Sequence, residues 1–246
     1  MTRNIFLSAV LLCLFCSCNN STGKSNENID HKELASTNVS LPAVNLLGSY
    51  VGPFGDNKIT LLITKVNNDT IEGRSVVGGN DRPYTGIVKL VDGKYQANAK
   101  EPGDDKDDGI FNFTIDPNQP DIVTGNWKPN VAGGHLGPKD FSLKRRAFNY
   151  LVDVGQFPQG SKKLLTEDDV NNLGKEALEI MRNEIFARHG YCFKKKALRD
   201  MFEDKDWYIP NTVDVKNVLT EIEKKNITLI KRFEKYATEY GDDFGR

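Results

Sequence analysis

One stretch of the sequence, RNEIFARHGYCF at residues 182–193, concentrates side chains that could do chemistry. The polar members are Arg182, Asn183, Glu184, Arg188 and His189. A histidine beside a carboxylate can act as an acid–base pair, and arginines bind anions. The stretch could therefore form an active site, a docking surface or a polar seam inside a helical domain. Because acid–base catalysis also needs a cleft and a substrate contact, we interpret it chiefly as a seam.

The other signatures of catalysis and metal binding are absent from the sequence. It has no G-x-x-x-x-G-K-[ST], G-x-S-x-G or H-E-x-x-H motif, and its three histidines are scattered. The acidic loop EPGDDKDDG does not have the spacing of an EF-hand. Cys192 is the only cysteine outside the first 18 residues, and its aromatic neighbours predict a buried, inert thiol. We therefore expect no catalytic residue, no metal and no cofactor.

The charge balance argues against a nucleic-acid partner. The chain has 33 Lys and Arg against 34 Asp and Glu, so its net charge is −1. Binding to a phosphate backbone needs an excess of basic side chains, which this composition does not supply.

Helical periodicity begins after residue 148 and predicts the elements that hold the polar stretch. Thr166 is placed to cap a first turn rich in Asp and Glu, and Gly190 is a helix stop. A second helix fits KKALRDMFED, and Thr220 with Glu223 forms a capping-box pattern at the start of a third. The sequence therefore predicts a small three-helix domain at residues 149–240.

Two further positions in this domain are candidate binding or structural residues. Asn226 lies on a mostly apolar face of the third helix, where it needs hydrogen-bond partners. Asn183, Arg188 or His189 could provide them, and the seam would then fix how the first and third helices meet. Trp207 and Tyr208 precede Pro210 and are either docking anchors or, as we favour, plugs of the helical core.

Before the helices, residues 46–146 show eight short runs with the period of two that is typical of strands, separated by turn sequences. They predict an antiparallel eight-stranded β-barrel at residues 44–148, with a lipocalin-like start GSYVG. The fold class is thus α+β in two domains. Alternation predicts that these side chains point inward: Tyr84, Val88, Tyr95, Phe111, Phe113, Trp127, Phe141 and Leu143. The interior is then filled or, less favoured, a cup for a small apolar ligand.

The helical part resembles a known family. MRNEIFARHGYCF is similar to the signature of the YARHG domain of bacterial envelope proteins, with Phe186 in place of the signature tyrosine. The resemblance continues through FPQGSKKLLTEDDV, LRDMFEDKDWYIP and LTEIEKKNITLIKRFE and covers about residues 150–238. It implies an extracytoplasmic helical domain with no assigned activity, and it supplies no catalytic residues.

The first residues are typical of a bacterial lipoprotein leader. Arg3 is followed by an apolar run at residues 5–15, too short to span a bilayer. Ser17 before Cys18 resembles a lipobox, so we expect residues 1–17 to be a signal peptide and Cys18 to carry lipid; an ordinary cleaved signal peptide is the alternative. Residues 18–43 read as a disordered tether. Asn19 after the cysteine favours the outer membrane, with the protein periplasmic or surface-exposed.

Two functional hypotheses follow from these features. In the first, a lipid anchor holds a non-catalytic lipoprotein at the membrane, and the helical domain docks on an unknown envelope protein or cell-wall partner. In the second, the barrel inhibits a periplasmic or host hydrolase through a loop at residues 128–138, or holds a small apolar ligand. We favour docking.

Overall fold

The computed structural model of the protein describes residues 45–103, 108–131 and 136–239. The predicted signal peptide, the lipidation position Cys18 and the predicted tether lie outside these residues. Part of the acidic loop and part of the loop at residues 128–138 also lie outside them.

The first part of the described chain is a closed antiparallel barrel, as the period of two predicts. Each strand pairs with the next in sequence, and the first pairs with the last to close the barrel. The strands are β1 (Gly48–Phe54), β2 (Asn57–Asn67), β3 (Thr70–Val77), β4 (Asn80–Val91), β5 (Lys94–Lys100), β6 (Gly109–Ile115), β7 (Ile122–Pro129) and β8 (Lys139–Arg145).

Short turns with positive φ connect several of the strands. The turn between β3 and β4 has Gly78 at φ 60° and Gly79 at φ 85°, and the turn between β4 and β5 has Asp92 at φ 50° and Gly93 at φ 75°. Two consecutive residues with positive φ give the hairpin turn whose twist matches that of the strands. The Gly-Gly and Asp-Gly pairs therefore set the register of these hairpins.

The interior of the barrel is filled by its own side chains. All eight side chains that alternation predicted to point inward are buried. At one end, Phe54 lies against Trp127 at 5.9 Å between ring centroids and against Phe141 at 6.1 Å. The prediction of an inward-facing aromatic core is confirmed.

Three helices of seven or more residues follow the barrel, as predicted. The helical elements are α1 (Gln159–Lys162), a 3-10 turn (Glu167–Asp169), α2 (Lys175–Arg188), α3 (Lys196–Phe202) and α4 (Glu221–Glu239). The predicted cap at Thr166 is present, but it begins a separate 3-10 turn and not the first long helix. Thr166 and Asp169 form a capping box for the 3-10 turn. Helix α2 begins at Lys175, directly after Gly174, whose backbone is extended. The Asn-Asn-Leu-Gly sequence between them interrupts the helix because glycine and asparagine favour other conformations.

Helices α2 and α4 pack on each other through their apolar faces. Leu178, Met181 and Ile185 of α2 share a core with Ile230 and Phe233 of α4. A smaller aromatic core lies beside α3, formed by Ala187, Phe193, Phe202 and Tyr208. The polar stretch of α2 therefore lies between two apolar clusters.

Hydrogen bonds join the barrel to the helical part. The backbone N–H of Lys58 donates to Glu203 at 2.8 Å, and the Arg199 guanidinium donates to Asn57 at 2.8 Å. Arg74 donates to the carbonyl of Asn211 at 2.8 Å. The barrel and the helices lie in one compact unit. The predicted boundary between the two domains at residues 148–149 stays a prediction.

Within the described ranges, no helix combines the length and the apolar composition that crossing a membrane would need.

Candidate functional site

Two features of the helical part are candidates for function: a buried polar network centred on the RNEIFARHG stretch, and an open groove beside it. The network comprises Ser161, Glu184, Arg188, His189 and Glu223, which are all buried. The groove has an apolar floor and a basic rim.

Glu184 and Arg188 form the first half of the network. They lie one turn apart on α2, and Arg188 Nη2 donates to Glu184 Oε2 at 2.9 Å. Arg188 also donates through Nε to the carbonyl of Val154 at 2.9 Å and through Nη1 to Ser161 Oγ at 3.1 Å. Burial lowers the pKa of Arg188, while Glu184 opposes this effect. Every nitrogen of the guanidinium group thus has a partner inside the protein.

The carboxylate of Glu184 also holds the segment that leads into α1. It accepts backbone N–H groups from Gln156 at 2.6 Å and Phe157 at 2.8 Å. Gly155 precedes them with φ 94°, and a Cβ atom there would lie 2.5 Å from the Glu184 carboxylate. Glycine is therefore required at residue 155 both for its backbone angle and for the close approach of the carboxylate.

Glu223 of α4 is the centre of the second half of the network. His189 Nε2 lies 2.8 Å from one carboxylate oxygen, and Ser161 and Tyr150 donate to the other at 2.7 and 3.0 Å. The backbone N–H of Thr220 also donates to Glu223 at 2.9 Å, which completes the predicted capping box. The Tyr150 ring stacks on His189 with 4.5 Å between centroids. These contacts tie the end of α2 to the start of α4.

The hydrogen bonds decide the charge state of Glu223. Burial by itself would raise the pKa of this carboxyl, but the hydrogen bonds from His189, Thr220 and Ser161 and the attraction to His189 lower the pKa to about 2. Glu223 is therefore a carboxylate near neutral pH and can only accept. Nε2 of His189 accordingly carries the proton that it shares with Glu223.

Asn226 is buried on α4 as predicted, but its predicted partners are wrong. Its Nδ2 donates to the carbonyls of Gly160 and Lys163, each at 2.8 Å, and its Oδ1 accepts from the N–H of Leu165 at 2.9 Å. None of these partners is Asn183, Arg188 or His189. The backbone of residues 160–165 lies against α4 at this point and supplies all three partners.

We expect Asn226→Ala to lower the free energy of unfolding by about 1–3 kcal/mol, because two carbonyls and one N–H would lose their buried partner. Urea denaturation checks this. The control is Thr228→Ala on the exposed face of the same helix, whose hydroxyl bonds only to the Lys224 carbonyl one turn earlier. Equal stability of the two variants would contradict a structural role for Asn226.

The remaining predicted residues lie outside the network. Arg182 Nε donates to both oxygens of Glu234 on α4, at 3.0 and 2.9 Å. Asn183 donates to the carbonyl of Glu179 one turn earlier on its own helix, at 2.8 Å. Both residues line the open groove.

Trp207 and Tyr208 lie in the aromatic core beside α3. Tyr208 is wholly buried and donates to the carbonyl of Tyr191 at 2.8 Å, so it is not exposed to a partner. Trp207 is half-buried against Phe202, at 6.2 Å between ring centroids. Their positions correspond to the core alternative more than to a docking pair.

The sequence did not predict two partners of Glu223, Ser161 of the network and Tyr150 beside it, and it predicted Glu223 only as a helix cap. Ser161 lies on the four-residue helix α1 and Tyr150 on the linker after β8, where neither has a periodic pattern. The one available signal was the capping box, which placed the Glu223 side chain at the start of α4.

The basic groove is a cavity of about 830 Å³ between α2, the start of α3, the loop at residues 213–219 and α4. Its apolar side chains are Phe186, Tyr191, Phe193, Leu198, Val213, Val215, Leu219 and Ile227. Its basic side chains are Arg182, Lys194, Lys195, Lys216, Lys224 and Lys231, against the single acid Asp214. An apolar floor with polar groups at the margin is typical of a binding site.

Cys192 and the barrel are weaker candidates for a functional site than the groove. Cys192 is buried, as predicted, and burial raises the pKa of its thiol to about 11, so it is protonated near neutral pH. At one end of the barrel, a recess of about 300 Å³ is lined by aromatic side chains and by Glu101. The Glu101 carboxyl already accepts from Ser75, Gly109 and Trp127, at 2.5 to 3.1 Å. Both oxygens of the Glu101 carboxyl are therefore used within the barrel.

Comparison with known proteins agrees with the resemblance read from the sequence. Neither the curated proteins nor the solved structures include a significant match to the chain. The barrel is not assigned to a family. Residues 156–235 match the YARHG domain, and these residues contain α1 to α3, most of α4, and the Ser161, Glu184, Arg188, His189 and Glu223 network. The helical part of this chain is a YARHG domain.

Proposed function

We propose that this protein is a lipid-anchored extracytoplasmic lipoprotein that acts as a non-catalytic binding module of the bacterial envelope. It docks on an envelope protein or cell-wall partner through the basic groove of its YARHG domain. The groove carries the proposal, because it combines an apolar floor with a charged rim and is open to solvent. The presence of a YARHG domain is consistent with an extracellular, envelope-related binding role.

The state of the polar network supports binding over catalysis. Glu184, Arg188 and Glu223 are almost completely buried, and their polar atoms bond to groups of the protein itself. A general acid or base must reach the substrate, whereas Glu184 and Arg188 hold residues 154–161 against α2 and Glu223 of α4 binds His189 at the end of α2. The network thereby supports the shape of the groove, which the same two helices line.

The anchoring part of the proposal rests on the leader sequence. Ser17 before Cys18 resembles a lipobox, and Asn19 favours retention at the outer membrane, periplasmic or surface-exposed. We expect Cys18→Ala to move the protein from the membrane fraction to the soluble fraction and to abolish a lipid-sized mass increase on the N-terminal peptide. Cell fractionation and mass spectrometry of that peptide check this. Cys16→Ala is the control and should stay at the membrane; release of both variants would contradict the choice of Cys18.

Docking is tested by photo-crosslinking in living cells. A photoreactive amino acid replaces Val213, an exposed groove residue, and in a separate strain Ile87, an exposed apolar residue on the barrel. The expected result is a specific adduct with an envelope component from residue 213 and none from residue 87. Adducts only from residue 87 would contradict docking through the YARHG domain.

The barrel remains the second candidate, supported by the recess of about 300 Å³ at its end. That volume is at the lower limit for a small-molecule site, and the rest of the interior is filled. A hydrolase inhibitor or an apolar ligand cup would both use this end or a neighbouring loop. Adducts from the barrel position in the crosslinking experiment would favour this candidate.

A further inference from the structure

We infer that the occupant of the basic groove is a short acidic peptide segment that also carries apolar side chains. This inference rests on the proposed docking function and adds the chemistry of the partner to it. The charge of the rim, the apolar floor and the volume of the groove each support this inference.

The charge on the rim selects an anionic partner. Six basic side chains surround the groove against the single acid Asp214. Three of the six are partly neutralised, since Arg182 pairs with Glu234, Lys195 with Glu179 and Lys224 with Glu221. The remaining three are Lys194, Lys216 and Lys231.

Those three lysines form no ion pair with any carboxylate of the described residues. All three are exposed at the margin of the same groove. Asp214, whose Oδ1 accepts the backbone N–H of Lys216 at 2.9 Å, supplies one negative charge against these three positive charges. Unpaired like charges gathered around one groove attract a ligand with carboxylates.

The apolar floor of the groove favours a ligand with apolar groups over a purely polar anion. Phe186, Tyr191 and Leu198 are partly exposed on the floor of the groove, and Val213 is 40% exposed at its edge. Covering these side chains removes apolar surface from water, which is favourable only if the ligand also presents apolar groups. A segment that alternates acidic and apolar side chains satisfies both the rim and the floor.

The size of the groove limits the length of the segment. A volume of about 830 Å³ lies in the range of about 300–1,000 Å³ that is typical of small-ligand pockets. A few residues of a peptide fill it, whereas a folded domain would contact only its rim. The occupant is therefore a short exposed segment of a partner protein that carries carboxylates beside apolar side chains.

The test uses the full mature chain with Cys18→Ser to keep it soluble, and fluorescence polarisation of three labelled hexapeptides. The probe is Glu-Phe-Glu-Leu-Glu-Phe, and the controls are Lys-Phe-Lys-Leu-Lys-Phe and Glu-Ser-Glu-Ser-Glu-Ser. We expect the probe to bind at least about tenfold more tightly than either control, and its affinity to fall with rising salt concentration.

Matched charge reversals locate the site. Lys216→Glu with Lys231→Glu should weaken binding of the probe by about tenfold or more, because both unpaired lysines lie on the rim. Lys89→Glu with Lys128→Glu changes the net charge equally on the exposed surface of the barrel and should change binding by less than about twofold. Val213→Ser should weaken binding of the probe and leave the weak Ser-containing peptide unaffected. Melting temperatures confirm that these surface variants are folded.

Three outcomes would overturn the inference: equal binding of the lysine peptide, equal binding of the Glu-Ser peptide, or equal effects of the two pairs of reversals. The first removes the charge selection, the second reduces the groove to a general anion site, and the third places binding elsewhere. The proposed docking function is tested separately. Adducts from residue 213 in cells without binding of the acidic probe would contradict only the ligand class.

Discussion

Replacing Arg188 with alanine is expected to lower the free energy of unfolding by about 3–5 kcal/mol. Arg188 is almost completely buried and donates to Glu184, Ser161 and the carbonyl of Val154. Its removal leaves the Glu184 carboxylate buried with only two backbone N–H groups, and it leaves a cavity. Urea denaturation followed by circular dichroism of the helical signal measures the change.

Arg182→Ala is the matched control for Arg188→Ala on the same helix. Arg182 also pairs with a glutamate, but both side chains of that pair are partly exposed, so we expect a loss of about 1 kcal/mol or less. The double variant Glu184→Ala with Arg188→Ala should lose less than the sum of the single losses, because the two side chains are direct partners. Equal losses in Arg188→Ala and Arg182→Ala would contradict the role of the buried network.

Acid should destabilise the YARHG domain through Glu223. The pKa of this carboxyl is lowered from 4.5 to about 2 in the folded protein, so the unfolded state binds the proton more strongly. The stabilisation is complete above about pH 4.5 and is lost as the pH falls towards 2. This lowering of the pKa corresponds to about 3 kcal/mol of stabilisation.

Glu223→Gln tests this dependence. The variant cannot titrate at residue 223, so its free energy of unfolding should fall less between pH 5 and about pH 2.5 than that of the unmodified protein. Glu176→Gln, a change at an exposed position in the first turn of α2, is the control and should keep the original slope. Other carboxylates titrate in the same range, including Asp169, whose pKa is lowered to about 2. The difference between the two variants is therefore the informative quantity, and identical slopes would contradict the assignment to Glu223.

Local sequence patterns were enough to predict the barrel and the three helices that follow it. The period of two and the Asp-Gly and Gly-Gly turns are properties of neighbouring residues, and they determine the strands, their hairpins and the inward-facing side chains of the barrel. The capping box of Thr220 and Glu223 is also local, and the structure contains it. The separate turn at Thr166 was missed because its cap is equally suited to a short 3-10 turn and to a long helix.

Which side chains meet was decided only by the tertiary structure. The sequence identified Asn226 as a residue in need of partners and offered Asn183, Arg188 or His189, but its partners are backbone groups of residues 160–165. Arg188 bonds instead to Ser161, and His189 bonds to Glu223. The basic groove likewise collects residues from α2, α3, α4 and a loop that are far apart in sequence. Periodicity tells which face of a helix is buried, whereas the path of a connecting segment and the angle between two helices depend on packing throughout the domain. The sequence by itself therefore determined the elements and their apolar faces, and the tertiary contacts determined the polar network and the groove.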